Sequence, residues 1–154
     1  MQVRDVMTKD LVTVTPSTSL REAMALLQRN RVSGLPVVRE GRLVGIVTEG
    51  DIVKRARQEL PWYAYVTSPM DVVPLPDFPL ETWSERARHL MGQPVSTVMT
   101  RKVVVADPTM DLAEVAGLLT GRHVKRLPVM DGDRLVGVIS RGDVVKGLLL
   151  SVPA

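Results

Sequence analysis

Two short stretches carry the side chains best suited to chemistry. Thr48-Glu49-Gly50-Asp51 and Ser140-Arg141-Gly142-Asp143 each place a small hydroxyl three residues ahead of an aspartate, at the head of a helix-like run. Two uses fit that spacing. Hydroxyl and carboxylate can close on the backbone N–H groups of their own helix as a capping box, worth about 1 kcal/mol for the cap. They can instead serve a ligand. A carboxylate accepts from two neighbouring hydroxyls at once, and a hydroxyl beside the free N–H groups of a helix start donates to phosphate. Gly50 and Gly142 carry no side chain to block close approach. A third stretch, Arg122, His123, Lys125 and Arg126, gathers donors suited to phosphate oxygens, and the helix dipole alone also favours cations at a helix end. The sequence leaves these alternatives open.

The hydroxyl–aspartate stretches belong to a segment that occurs twice. At a gapless offset of 92 positions, residues 3–54 and 95–146 share 22 identities in 52 positions. Such a duplication sets the frame for every other element. Val3, Val6 and Met7 have the spacing of one helical turn. DLVTVTP, closed by Pro16, reads as a short strand running into a turn, with Ser17, Thr18 and Ser19 as candidate caps. Leu20, Ala23, Met24 and Leu27 form a helical stripe over 20–30. Leu35 to Val38 and Leu43 to Val47 read as strands joined by a turn at Glu40 and Gly41, and Thr48 opens a helix to about Gln58. The second copy repeats the order through a helix from Asp111 to about Arg122, a turn at Asp131 to Asp133, and a last helix from Ser140 to about Leu150. The expected fold is α/β (α+β), two β-α-β-β-α repeats. A repeat of this size is marginal as a lone core, so the two are expected to share one.

Between the copies, residues 57–94 differ in composition. The stretch Arg55 to Pro94 holds six of the eleven prolines, both tryptophans, both tyrosines and the single phenylalanine. A flexible linker would be rich in Gly and Ser instead. It reads as an ordered connector anchored by Trp62, Tyr63 and Tyr65, with a helix stripe at Leu80, Trp83, Ala87 and Leu90. It packs on the chain's own core or forms a partner surface or lid.

Several function classes fit poorly. The net charge is a modest +3 and aromatic residues are 3% of the chain, without the basic groove and stacking aromatics of a single-strand binder. No 18-residue apolar run suggests a membrane span. There is no cysteine, hence no thiolate metal site or thiol nucleophile. His89 and His123 are isolated from other metal-ligand types, and no nucleophile elbow, P-loop or dinucleotide fingerprint occurs. No enzyme, metal or cofactor is expected. The N-terminus lacks the apolar core of a signal peptide, so the expected location is the cytoplasm.

The ordered set VxxVMT, strand and proline turn, helix, LPV, hairpin, LVGhh[ST]xxD and helix, present twice in register, resembles a tandem pair of cystathionine β-synthase (CBS) domains. The resemblance covers a first repeat at 1–56 and a second at 95–150. It implies two units about a pseudo-twofold axis with clefts between them, and often a disc-shaped homodimer. It also implies a regulatory module that binds an adenosine-containing ligand (AMP, ADP, ATP or S-adenosylmethionine) and acts on a separate protein. By resemblance, Asp51 and Asp143 hold ribose, and Thr48 and Ser140 hold phosphate. Val14 to Pro16 and Val32 to Leu35, with their counterparts Ala106 to Pro108 and Val124 to Leu127, bound the base slot; Thr13, Thr15, Pro16, Val32, Gly34, Leu35, Leu127 and Pro128 are among the expected ligand-binding residues. His123, Lys125 and Arg126 face phosphate in one cleft. The repeats differ in charge at Thr15 against Asp107 and at Glu49 against Arg141, so the clefts are expected to be unequal.

Overall fold

The computed structural model describes residues 1–60 and 80–154. The expected anchors Trp62, Tyr63 and Tyr65, and the side chain of Leu80, lie outside the described residues. In chain order the elements are α1 (Val3–Val6), α2 (Leu20–Arg29), β1 (Gly34–Arg39), β2 (Arg42–Thr48), α3 (Glu49–Glu59), α4 (Leu80–Gly92), a 3-10 turn (Val95–Thr97), α5 (Leu112–Gly121), β3 (Arg126–Asp131), β4 (Arg134–Ser140) and α6 (Arg141–Ser151).

Local sequence explains most of these elements. Ser19 caps α2 by accepting from the Glu22 N–H at 3.1 Å, and Leu20, Ala23 and Leu27 form its buried stripe. In α5, Asp111 and Glu114 close a capping box, and Leu112, Val115 and Leu119 are buried. In the tight turn between β1 and β2, both loop residues have positive φ, 51° at Glu40 and 78° at Gly41, the geometry that matches hairpin twist. On α4 the expected stripe is met by half-buried Trp83 and Ala87 and buried Leu90.

The first strand of each repeat is shorter than its β-branched sequence suggests. Val14 makes a single parallel bridge to Val37, and Ala106 a single parallel bridge to Val129. Pro16 and Pro108, lacking an N–H, follow two residues later and stop the ladder there.

The packing unit is not the sequence repeat. Thr100 bridges Ile46 on the free edge of β2, and Thr8 bridges Val138 on the free edge of β4. The VMT segment that opens each copy therefore crosses over and completes the sheet of the other copy. Each hairpin is flanked by one of its own residues on one side and by the exchanged segment on the other. Val95 and Met99 lie in the core with Leu20, Leu27, Leu35, Val37 and Val47. Val3 and Val6 lie in the core with Leu112, Val115, Leu119, Val129 and Ile139. There are thus two cores, one per unit, each incomplete without a segment from the other copy.

Gly45 and Gly137 make the crossing possible. A Cβ on Gly45 would stand 2.8 Å from the Thr100 carbonyl oxygen, and one on Gly137 3.0 Å from that of Thr8. Glycine here serves close backbone approach rather than an unusual φ.

Candidate functional site

Two clefts open between the units, lined by corresponding residues of the two copies. The larger, about 550 Å³, lies between the start of α3 and the Lys102–Val104 and His123–Pro128 segments. The smaller, about 320 Å³, lies between the start of α6 and the Asp10–Val12 and Asn30–Pro36 segments. Each pairs the hydroxyl-bearing helix start of one copy with the apolar slot of the other.

Both hydroxyl–aspartate pairs close as capping boxes. The Thr48 hydroxyl accepts from the Asp51 N–H at 3.1 Å, and Asp51 Oδ2 accepts from the Thr48 N–H at 3.0 Å. Asp51 Oδ1 also accepts from the Thr100 hydroxyl of the exchanged segment at 3.2 Å. Asp143 takes the Ser140 N–H at 2.8 Å and the Ser140 hydroxyl at 2.9 Å, both on Oδ2. Capping leaves carboxylate lone pairs over, because each oxygen has two acceptor sites. The cap and a ligand contact are therefore compatible uses of one side chain.

The larger cleft brings together Thr48, His123, Lys125, Arg126, Leu127 and Pro128 of the expected residues, and the smaller brings together Val32, Gly34, Leu35, Ser140 and Asp143. Asp51 stands beside the larger cleft through its bonds to Thr48 and Thr100. Thr13, Thr15 and Pro16 line neither of these clefts. Thr13 is exposed between inward-facing Val12 and buried Val14, because alternate side chains of an extended chain point to opposite faces. Thr15 is turned into a local network with Ser17 and Thr18, and Pro16 is buried with its carbonyl accepting from Ser96. Val12 and Val104 occupy the slot instead. Asp107 also lines neither of these clefts. Its carboxylate accepts from the Thr109 hydroxyl and N–H, which holds it below the usual aspartate range.

Sequence reasoning placed Glu49 beside the site but missed Lys102, Thr100 and Val103 of the larger cleft and Asp10 of the smaller. A signal existed: Lys102 and Asp10 stand at corresponding positions with opposite charge. The larger cleft is lined by Lys102, Lys125 and Arg126 against Glu49, with Asp51 beside it. The smaller carries Arg31 and Arg126 against Asp10 and Asp143. An anion is therefore favoured in the larger one.

Arg31 and His123, at corresponding places just past α2 and α5, have φ of 52° and 53°. Glycine is the usual occupant of such a helix end, and a side chain there costs about 1–2 kcal/mol. Each of these two faces a cleft. Among the described residues no group of three or more His, Cys, Asp or Glu side chains could hold a metal ion.

Arg126 has the most unusual surroundings. Its Nη2 donates to Ser33 Oγ at 2.8 Å and its Nη1 to the Gly34 carbonyl at 3.5 Å. Its Nε is buried with no hydrogen-bond partner. Burial pushes the guanidinium below its usual range, opposed by the carboxylates of Asp143 and Glu49.

The family model described as CBS domain matches residues 3–57 and 95–150. The chain is 36% identical to the uncharacterized protein MJ1426 of Methanocaldococcus jannaschii, over 97% of this chain and 92% of that one. It is 30% identical to the CBS domain-containing protein YhcV of Bacillus subtilis, over 92% of this chain and 81% of that one. The crystal structure of CBSX2 of Arabidopsis thaliana, in complex with AMP, superposes with a TM-score of 0.72 at 28% identity and covers 97% of both chains.

Proposed function

The chain belongs to the CBS-domain family, and from that premise we propose that it is a sensor that binds an adenosine-containing ligand and regulates a separate protein. One observation carries the reading: an apolar slot, a helix start and three cations converge in the larger cleft. Val103, Val104 and Val124 offer a face for a base. The lone pairs left over on the Asp51 carboxylate suit a ribose diol. Lys102, Lys125 and Arg126, with the start of α3, suit phosphate. CBSX2, similar over nearly its whole length, has been crystallised with AMP, and AMP is the first ligand to try. ADP, ATP and S-adenosylmethionine share the nucleoside and stay in the proposal. Ligand would act by favouring one arrangement of the two units, and only to the extent that it binds that arrangement better.

A second copy of the chain is the proposed assembly partner. Val53, Val145, Leu148 and Leu149 lie exposed on α3 and α6, and such apolar surface favours association. The cytoplasm remains the proposed location; no helix among the described residues is long and apolar enough to cross a membrane. The capping boxes support one competing reading, a purely structural or interaction module.

A thermal-shift and calorimetric screen separates the two. AMP, ADP, ATP, S-adenosylmethionine and a guanine nucleotide control are tested against the wild type, Asp51→Ala and Asp143→Ala. At 100 times its dissociation constant a ligand adds about 2.7 kcal/mol. The sensor reading expects that rise with an adenosine compound and its loss in Asp51→Ala. No rise with any of them, while both variants lose stability, would leave the interaction module.

A further inference from the structure

Arg126 lines both clefts, and there is one of it for two sites. Its counterpart in the first copy is Gly34, which carries no side chain, and a side chain there would crowd Thr48 and Arg126. A Cβ on Gly34 would already stand 3.4 Å from Arg126 Cδ and 3.2 Å from Thr48 Cγ2. The pseudo-symmetry that gives each cleft its own slot and its own helix start thus fails at the central cation. We propose that Arg126 is shared: a phosphate-bearing ligand in one cleft withdraws it from the other, so the two clefts bind such ligands with negative cooperativity. This rests on the reading that the clefts take adenosine nucleotides.

The surroundings of the guanidinium make sharing feasible. It is held across the unit boundary by a serine hydroxyl and a carbonyl, both neutral acceptors. Its Nε is buried and unpartnered, and an unmet buried donor is costly to leave so. A phosphate oxygen arriving from either side offers a charged acceptor, stronger than either neutral one. The carboxylates of Glu49 and Asp143, which line different clefts, both act on it, so neither side holds it exclusively.

Charge counting gives the order of filling. With Arg126 drawn to the larger cleft, Lys102, Lys125 and Arg126 face Glu49 there. The smaller is left with Arg31 against Asp10 and Asp143, a net negative site that repels phosphate. A nucleoside without phosphate makes no demand on Arg126 and is indifferent to the state of the other cleft. Linkage requires the coupling to be reciprocal.

The test compares the smaller cleft with and without an occupied neighbour. Gly50→Trp fills the larger cleft from an exposed position where a Cβ meets only Thr48 Oγ1, at an ordinary 3.6 Å. AMP and adenosine are titrated into the full-length wild type, Gly50→Trp and the Gly50→Trp/Arg126→Met double variant. The amide signals of Lys102 and Leu11 report the larger and smaller clefts separately. The expected result is that AMP enters the smaller cleft of Gly50→Trp about tenfold more tightly than that of the AMP-loaded wild type, a coupling of ordinary allosteric size. The gain should vanish in the double variant, and adenosine should bind the smaller cleft equally in wild type and Gly50→Trp. Equal AMP affinity of the smaller cleft in both proteins, or no AMP binding there even in Gly50→Trp, would overturn shared use alone. No binding of AMP or adenosine to the wild type would overturn the sensor reading and this inference with it.

Discussion

The two units accept each other's opening segment by the same backbone bonds, yet they seal it differently. On the β1–β2 unit the seam is polar. Both carboxylate oxygens of Glu59 accept from the Gln93 side chain at 2.9 and 2.8 Å, Arg55 pairs with Glu59 at 3.2 Å, and Arg55 donates to the Thr97 carbonyl at 2.6 Å. The positions corresponding to Arg55, Glu59 and Gln93 are Gly147, Ser151 and Met1. On the β3–β4 unit the seam has no charged pair at these positions, and the Ser151 hydroxyl donates to the Gly147 carbonyl at 2.8 Å. α6 approaches so closely at Gly147 that a Cβ there would collide with the Leu112 side chain and stand 3.2 Å from Met1 Sδ. One duplicated scaffold thus tolerates two sealing chemistries, because the shared β bridges and buried valines fix the geometry before the seam is chosen. The clefts repeat the lesson: the slots correspond, while the charges around them have diverged.

The sharpest way to break this comparison is to truncate the exchanged valines. Val3 and Val95 are both fully buried, so Val3→Ala and Val95→Ala should each cost about 2–3 kcal/mol. The diagnostic is location. Hydrogen exchange in Val3→Ala should accelerate most in β3 and β4, and in Val95→Ala most in β1 and β2. Loss of protection in each residue's own repeat would contradict the exchange.

The next comparison is between the crossing glycines. In Gly45→Ala the closest contact of the methyl is the Thr100 carbonyl at 2.8 Å, whereas in Gly137→Ala it is the thioether end of the Met7 side chain at 2.7 Å, with the Thr8 carbonyl further off at 3.0 Å. Overpacking against fixed backbone should cost about 2 kcal/mol, and against a flexible side chain about 1 kcal/mol. Melting temperatures ordered the other way would place the rigid seam on the wrong unit.

The caps come third. Each Asp→Ala change loses a capping interaction worth about 1 kcal/mol, but Asp51 also holds Thr100. Chemical denaturation should therefore find Asp51→Ala the less stable of the two. The gap should close in a Thr100→Val background.

The smallest effect is acid sensitivity at the polar seam. Hydrogen bonding from Gln93, then the bond and charge of Arg55, hold the Glu59 carboxyl below its ordinary value of 4.5. A lowered folded-state value means that the stabilisation is complete above the unfolded value and is lost as pH falls through the folded one. Below about pH 4.5 the wild type should lose stability faster than Glu59→Gln. The difference should be no more than about 0.5 kcal/mol, because the group is screened by solvent. Denaturation midpoints measured from pH 6 down to pH 3 read it directly.

Much of this was legible in the residues. The duplication, the α2 and α5 stripes, both hairpins and the Thr48 and Ser140 helix starts rest on local spacing, and local spacing is what a sequence displays. Of the expected ligand-binding residues, Thr48, Ser140, Asp143, His123 and Lys125 to Pro128, all placed by local spacing, line the two clefts. The site was misread at Thr13, Thr15 and Pro16, because the side on which an extended segment faces a cleft depends on what it packs against. Lys102 and Asp10 were overlooked because a single charge in a loop stands out only when the two copies are set against each other.

The sequence by itself determined that two equivalent units exist, which residues form their helices and hairpins, and that a hydroxyl and a carboxylate head the last helix of each. Tertiary structure alone decided that the opening segments change places, that one cleft is larger and more cationic, and that Arg126 stands between the two. The reason is physical. Helix caps, turns and periodic burial are settled among residues a few positions apart, whereas an exchanged strand or a shared cation depends on surfaces 54 to 130 positions apart in the chain meeting in space, and no local preference encodes that encounter.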